Sequence, residues 1–474
     1  RLRLPGDVKL LGSIREAILQ TGLKDGMTIS FHHHFRNGDE IINKVVAEIA
    51  DLGIKDLTLF ASSLTLAHAP LIEHIHNKVI TGIHTSGLRG ELAQEQSLHN
   101  ILGKPVVFRS HGGRARAIAT GEMPIDVAFI GAPASDPLGN MNGYQGQSAF
   151  GSMGYAMIDA QYAHKVVAIT DNLVPFPLAN ASIPMTLVDY VVEVESIGDQ
   201  SKIATGATRI TGNPTELLIA KKAAEAIIAS GLVVDGYSFQ AGSGGASLAV
   251  CQYLKNYMTD HHIVGSFAAG GITSYLVELL EQGYFKALLD VQTFDGNAVD
   301  SFKRNPSHIE MSAGMYADPW NKSCVVNQLD IMVLSATEID VNFNVNSVTG
   351  SFGMIRGAVG GAPDTAAGAK LTVVVAPTMR KRIPIIRDRV TNVVTPGTTI
   401  DLLVTERGIA VNPRRQDLQA MLELAGVETM DIVELKQNIE QLTGVPNPIV
   451  FAEEIVGVIE YRDGTVIDVI RKIK

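Results

Sequence analysis

Three glycine-rich turns are the first places where this chain could do chemistry. In "GYSFQAGSGGASLAV" an apolar strand (237–241) runs into Gly242, Ser243, Gly244 and Gly245, and a helix follows from 246 to about 257. Glycines at a strand-to-helix corner let backbone N–H groups point at an anion, and the helix N-terminus adds partial positive charge. A second strand ends in the small-residue turn 268–271, which holds Gly270 and Gly271, and a third turn holds Gly360 and Gly361 in "GAVGGAPDT". Such turns suit a polarised carbonyl or an oxyanion; the plain alternative for each is a tight corner and nothing more. Asp364, just after the third turn, reads as a cap for the following helix rather than an acid or base.

Cations form the second group. Arg89 in "TSGLRG" and Arg114 in "FRSHGGRAR" border glycine turns at strand ends, where α/β proteins build their sites. Arg36, Arg109 and His84 lie close to similar turns. Planar guanidinium groups at such places match carboxylates in a bidentate manner. His32, His33 and His34 fall on a strand, where side chains alternate, so His32 and His34 share one face and His33 points away. Two imidazoles with no nearby acid or cysteine pattern make a poor zinc site. They are expected in the wall of a site or between the halves of the molecule, as partly protonated donors.

The whole chain sets bounds on these candidates. Its 474 residues exceed one ordinary core, so two domains are expected. A net charge of -10 argues against a non-specific nucleic-acid binder. The longest uncharged stretches are broken by glycine, proline and amides, so no membrane span is expected. The start at Arg1 has no signal-like apolar run and no Met, and a preceding segment is expected. Two cysteines, Cys251 and Cys324, cannot form a disulfide framework or a thiolate metal site alone, and a cytoplasmic protein is expected.

Short apolar runs alternate with amphipathic helical stretches from Met27 onward, the pattern of βαβ units and a mostly parallel sheet. After a polar, Gly/Thr-rich passage near 198–213 the pattern starts again. Without a gap, "IDVAFIGAPASDPLGNMN" (125–142) overlays "LDIMVLSATEIDVNFNVN" (329–346), so Asp126 meets Asp330, Asp136 meets Asp340 and Asn140 meets Asn344. An internal duplication follows, with domains 1–212 and 213–474. The second is expected to include the terminal helix and the hairpin around Asp463-Gly464.

"SFQAGSGGASLAV" and "IDVNFNVNSVTGSFGMIRGAVGGAPDTAAGAK" resemble the opening motif and the GGxxD loop region of acetyl-CoA transferases. Across the chain, "ISFHHHFRNGDEIINKVV", "GIHTSGLRGEL", "DPLGNMNG" and "TPGTTIDLLVTERGIAVNPRR" resemble the family of citrate lyase α subunits. The resemblance implies an α/β protein of two related open-sheet, CoA-transferase-like domains. The implied activity exchanges the acetyl group of an acyl-carrier-protein thioester for citrate, giving citryl carrier and acetate.

In the wider fold family a nucleophilic glutamate follows the second strand of the second half. Here "HIVGSFAAGGI" puts Ser266 or a neighbour at that position, which excludes a glutamyl thioester and implies direct attack in a ternary complex. On this resemblance Gly242, Ser243, Gly244, Gly245 and Ser266 are the catalytic candidates. Gly270, Gly271, Gly360, Gly361 and Asn346 are expected at the thioester. His32, His34, Arg36, His84, Arg89 and Arg114 are expected at citrate. No metal and no tightly bound cofactor are implied; a phosphoribosyl-dephospho-CoA prosthetic group sits on the carrier partner, and acetyl-CoA serves as a surrogate. The implied partners are the acyl carrier (γ) subunit and the citryl-carrier lyase (β) subunit, in an oligomer. A citramalate or malonate transferase, a CoA-thioester hydrolase and a sugar-phosphate-sensing regulatory module are the alternatives.

Overall fold

A computed structural model describes residues 8–204, 210–242 and 244–474. Two large sheets carry the chain. The first runs in space as Leu10–Leu11, Tyr190–Glu193, Lys165–Thr170, Val127–Ala132, Thr28–Phe31, Leu57–Ala61, Ile80–Thr85, Val106–Phe108, Phe451–Glu460 and Val466–Ile473. The second runs as Ile409–Val411, Leu402–Val404, Leu371–Val375, Ile331–Ser335, Ser238–Ala241, Gly265–Ile272, Phe285–Thr293 and His308–Glu310. Only the last strand of the first sheet and Ile409–Val411 of the second are antiparallel to their neighbours. Both sheets are covered by helices, so consecutive strand residues such as Val166 and Val167, or Val373 and Val374, are buried on opposite faces.

Seven strands of each sheet follow in the same order, and equivalent carboxylates hold equivalent backbone. Asp126 accepts the Thr28 N–H at 2.8 Å, and Asp330 accepts the Ser238 N–H at 2.8 Å. Asp189 accepts from Val166 at 2.9 Å, and Asp401 from Thr372 at 2.7 Å. Each strand start that lacks a ladder partner is thus closed by a side chain from the neighbouring strand.

The terminal hairpin departs from expectation. Strand Phe451–Glu460 pairs in parallel with Val106–Phe108, so the hairpin completes the first sheet, not the second. Gly457 permits this approach: a Cβ there would come within 2.9 Å of Ile470 and 3.1 Å of Phe108. Polar links reinforce it, since Arg109 binds Glu460 at 2.6 Å and Asn100 donates to Glu454 at 2.7 Å. Among the described residues no helix is long and apolar enough to cross a membrane.

The halves meet through short helices. Helix His111–Ala119, capped by Ser110, packs against helix Ala313–Ala317, capped by Ser312. Gly112 is needed there, because a Cβ would sit 2.0 Å from the Ala317 carbonyl oxygen. Asp364 of the second half accepts from Ser110 Oγ and from the Gly112 N–H, both at 2.9 Å. It therefore ties the halves together and does not cap the helix that holds it, where Gly361 occupies the cap position. Burial pushes its carboxyl up to about 6, despite Arg462 beside it.

Candidate active site

The carboxyl ends of both sheets open on one cleft of about 420 Å³. From the first half it is lined by His33, Arg36, Arg89, His111 and Tyr155; from the second by Gln240, Gly242, Phe294, Tyr316, Arg356 and Arg380, with the stretch Gly357–Ala362 along one side. Among the described lining residues there are four arginines and no Asp, Glu, Cys or Lys.

Local structure fixes each arginine differently. Arg36, with φ +53°, opens the short turn Arg36–Gly38, and its guanidinium lies 4.4 Å above the Phe294 ring. Burial, with Arg89 nearby, lowers its pKa to about 10, so it stays charged at neutral pH. Arg89 precedes Gly90, whose φ of +72° opens helix Gly90–His99. Its guanidinium donates weakly to Ser63 Oγ at 3.4 Å, and burial lowers its pKa with no carboxylate among the described residues paired to it. A buried cation without a counter-charge is costly unless an anion arrives. Arg380 is anchored to the Ala336 and Thr337 carbonyls at 2.7 and 3.0 Å.

Neutral groups fill the rest. His33 stacks on Tyr155 with ring centroids 5.0 Å apart, and its Nδ1 meets Ser62 Oγ at 2.6 Å. Burial, then the neighbouring His111, holds His33 well below its ordinary value, and burial takes His111 down to about 3. Both imidazoles are therefore neutral near pH 7. Gln240 donates to Tyr316 Oη at 2.8 Å, while its own carbonyl oxygen is buried with no partner among the described residues.

The glycine turns separate into roles. Gly242 lines the cleft, but its N–H is already spent on the Val333 carbonyl at 2.8 Å. Gly244 and Gly245 start helix Gly245–His261 behind it, and a Cβ on Gly244 would meet Ser335 Oγ at 2.5 Å. Ser243 lies outside the described residues. Gly270 (φ +98°) makes room for Gln240, and Gly271 for the Phe294 ring, at 2.4 and 2.1 Å from an added Cβ. Gly360 (φ +60°) gives its carbonyl to the His111 N–H at 2.9 Å, which aims the following amides of Gly361 and Ala362 at the start of a helix.

Besides these glycines, six expected site residues stand elsewhere, Ser266 among them. The histidines do not fall on the strand, which ends at Phe31; His32 and His34 still share one side, but it is not the cleft side: His33 lines the cleft, while His32 binds Asp159 at 2.9 Å and His34 stacks on Phe150 at 4.7 Å. Burial lowers His34 well below its ordinary value, so it is no protonated donor. Arg114 is held bidentately by Asp159, both contacts 2.7 Å, under the sheet. Burial opposes the charge on Asp159, yet Arg114 and His32 outweigh it and hold that carboxyl well below the usual range. His84 pairs with Arg109 near the terminal hairpin, where burial and Arg109 lower it to about 3. Asn346 is buried and fully used, donating to Glu338 and Thr349 and accepting from Val348 and Thr349.

Ser266 sits at the entry end of its strand, its hydroxyl donating to the Tyr237 carbonyl at 3.1 Å, and does not line the cleft. Near the other end of that strand Gly271 lines the cleft, whereas Gly270, also expected at the thioester, does not. Arg356, Arg380, His111, Tyr155, Tyr316 and Gln240 went unnamed in the sequence. Arg356 had a signal, because "IRG" repeats the Arg-Gly pair of Arg89-Gly90 beside a glycine turn.

The profile of the family "Citrate lyase, alpha subunit" matches residues 7–473. The citrate lyase alpha chain of Klebsiella pneumoniae is 52% identical over 466 residues, covering 98% of this chain and 92% of that one. A solved citrate lyase α subunit from Streptococcus mutans, in complex with citrate, is 53% identical with a TM-score of 0.98, covering 100% of this chain and 93% of that one. At 17% identity and a TM-score of 0.58, a 4-hydroxybutyrate CoA-transferase from Porphyromonas gingivalis shares the fold, covering 92% of this chain and 98% of its own. Two strand-matched halves, a cationic cleft between them and a collinear match over nearly the full length lead to one conclusion: the chain belongs to the citrate lyase α-subunit family.

Proposed function

We propose that the chain transfers the thioester of an acyl carrier protein from acetate to citrate, as the α subunit of a citrate lyase complex. The observation that carries this reading is a cleft lined by four arginines with no carboxylate side chain among its described walls. The three carboxylates of citrate match planar guanidinium groups in a bidentate manner. Arg36 and Arg89 hold citrate from the first half, with Arg356 facing them. His33 and His111, both neutral, contribute hydrogen bonds and shape rather than charge.

The reaction needs no nucleophile from the protein. One citrate carboxylate attacks the acetyl carbonyl, and the tetrahedral oxyanion collapses with loss of the carrier thiolate, leaving a mixed anhydride. The thiolate then attacks the citryl carbonyl of that anhydride, and acetate departs. The backbone N–H groups along Gly360–Ala362 are the donors assigned to the oxyanion, at a helix start where partial positive charge collects. Losing one such donor typically costs about 3 kcal/mol of barrier. The protein contributes chiefly by holding two reactants in register and excluding water.

The partners assigned are the acyl carrier (γ) subunit with its CoA-like prosthetic group and the citryl-carrier lyase (β) subunit. The test is an assay with acetyl-CoA as surrogate donor and citrate, citramalate or malonate as acceptor. Citrate-dependent formation of equal amounts of citryl-CoA and acetate is expected. Free CoA accumulating without an acceptor would instead mark a hydrolase.

A further inference from the structure

The duplication exposes one surface that the fold does not need. After strand Lys165–Thr170 the first half runs through 171–188 with no Lys or Arg. After the matching strand Leu371–Val375 the second half places Arg380, Lys381, Arg382, Arg387 and Arg389 within ten positions. Both connections are tethered alike: Leu178 N–H donates to Asp136 at 2.9 Å, and Val390 N–H to Asp340 at 3.3 Å. The same structural task is thus performed once without a basic residue and once with five, in a chain whose net charge is -10.

The basic stretch is a built projection. Met379 and Arg380 pair antiparallel with Pro384 and Ile383, and buried Ile385 and Ile386 root the hairpin in the second half. Lys381 stands at its tip with φ +56°, where a tight hairpin favours glycine or asparagine. Arg387 is paired with Glu338, but Lys381 and Arg382 are exposed and form no ion pair among the described residues. At its base Arg380 lines the cleft, gripping the Ala336 and Thr337 carbonyls. The tip therefore stands at a fixed place beside the cleft entrance.

We infer that this hairpin is the docking face for the acyl carrier, engaging an acidic surface of the carrier protein so that its thioester arm enters the cleft past Arg380. The inference rests on the transferase reading above. Charge complementarity at a rim steers encounter and sets register more than it adds final affinity. Its signature is a loss confined to the protein-borne donor and dependent on salt.

The experiment compares the full chain with the double variant Lys381→Glu/Arg382→Glu, using citrate and two donors: acetylated carrier protein and acetyl-CoA. Expected is a fall of about tenfold or more in kcat/KM for the carrier, with acetyl-CoA changed less than about twofold, and a flatter salt dependence for the carrier reaction. Unchanged carrier kinetics would overturn the inference, and so would equal losses with both donors. An unmodified chain that transfers from neither donor would instead overturn the transferase reading and this inference with it.

Discussion

Set side by side, the two halves use the same side chains to build and different ones to react. Asp136 accepts from the N–H groups of Leu138, Asn140 and Leu178 and from the Asn140 amide; Asp340 accepts from Asn342, Asn344, Val390 and the Asn344 amide. Asn140 then receives the Met185 N–H and Asn344 the Gly397 N–H, each at 2.9 Å. At the tips of the equivalent first strands the likeness ends. One half carries three histidines and Arg36, the other Gly242 to Gly245. Residues that satisfy buried backbone have one acceptable chemistry at their position, whereas strand tips facing a cleft are free to diverge.

The largest expected effect falls on the first half alone. Arg114→Ala leaves Asp159 buried without its bidentate partner, and unfolding stability should drop by about 3–5 kcal/mol in a denaturant titration. A loss confined to citrate binding would instead return Arg114 to the site. Next, Asp136→Ala and Asp340→Ala each remove four accepted hydrogen bonds. Each should cost about 2–3 kcal/mol, and the two losses should agree closely. A large disparity would break the equivalence of the halves.

Arg89→Ala tests the divergent tips: the KM for citrate should rise about 10- to 100-fold, while the KM for acetyl-CoA changes little. Equal losses for both substrates would count against the division of labour. Glu310 probes the seam between the halves. It accepts the Met153 N–H at 2.6 Å, and burial pushes its carboxyl up to about 7. From the ordinary glutamate range up to 7 the folded chain keeps a proton the unfolded chain has lost, so stability falls as pH rises through that window. Thermal melts should show this slope, and Glu310→Gln should flatten it. Smallest of all, Ser266→Ala should stay within about 0.5 kcal/mol of the parent in stability, with activity retained.

Much of this was legible because it is written in local spacing. The register of Asp126, Asp136 and Asn140 against Asp330, Asp340 and Asn344 revealed the duplication, since backbone-satisfying carboxylates cannot drift along a loop. The face of the histidines was not legible. A segment buried on both sides gives no polar–apolar contrast, so alternation says which residues share a side but not which side is the cleft. The hairpin around Asp463-Gly464 was legible as a hairpin and placed with the second domain, yet it pairs with the first sheet, because its partner strand Val106–Phe108 lies some 350 residues earlier. The role of Arg114 was missed for a related reason: nothing local pairs it with Asp159, 45 positions away.

In the proposed reaction citrate attacks the acetyl thioester directly, with no acyl group passing through the protein. A single turnover with oxygen-18 in the citrate carboxylates and acetyl-CoA as donor, read by mass spectrometry of both acetate and intact protein, tests it. Direct attack puts one citrate oxygen into each acetate formed and leaves the chain's mass unchanged. Acetate free of label, with acyl mass or heavy oxygen retained on the protein, would contradict the account.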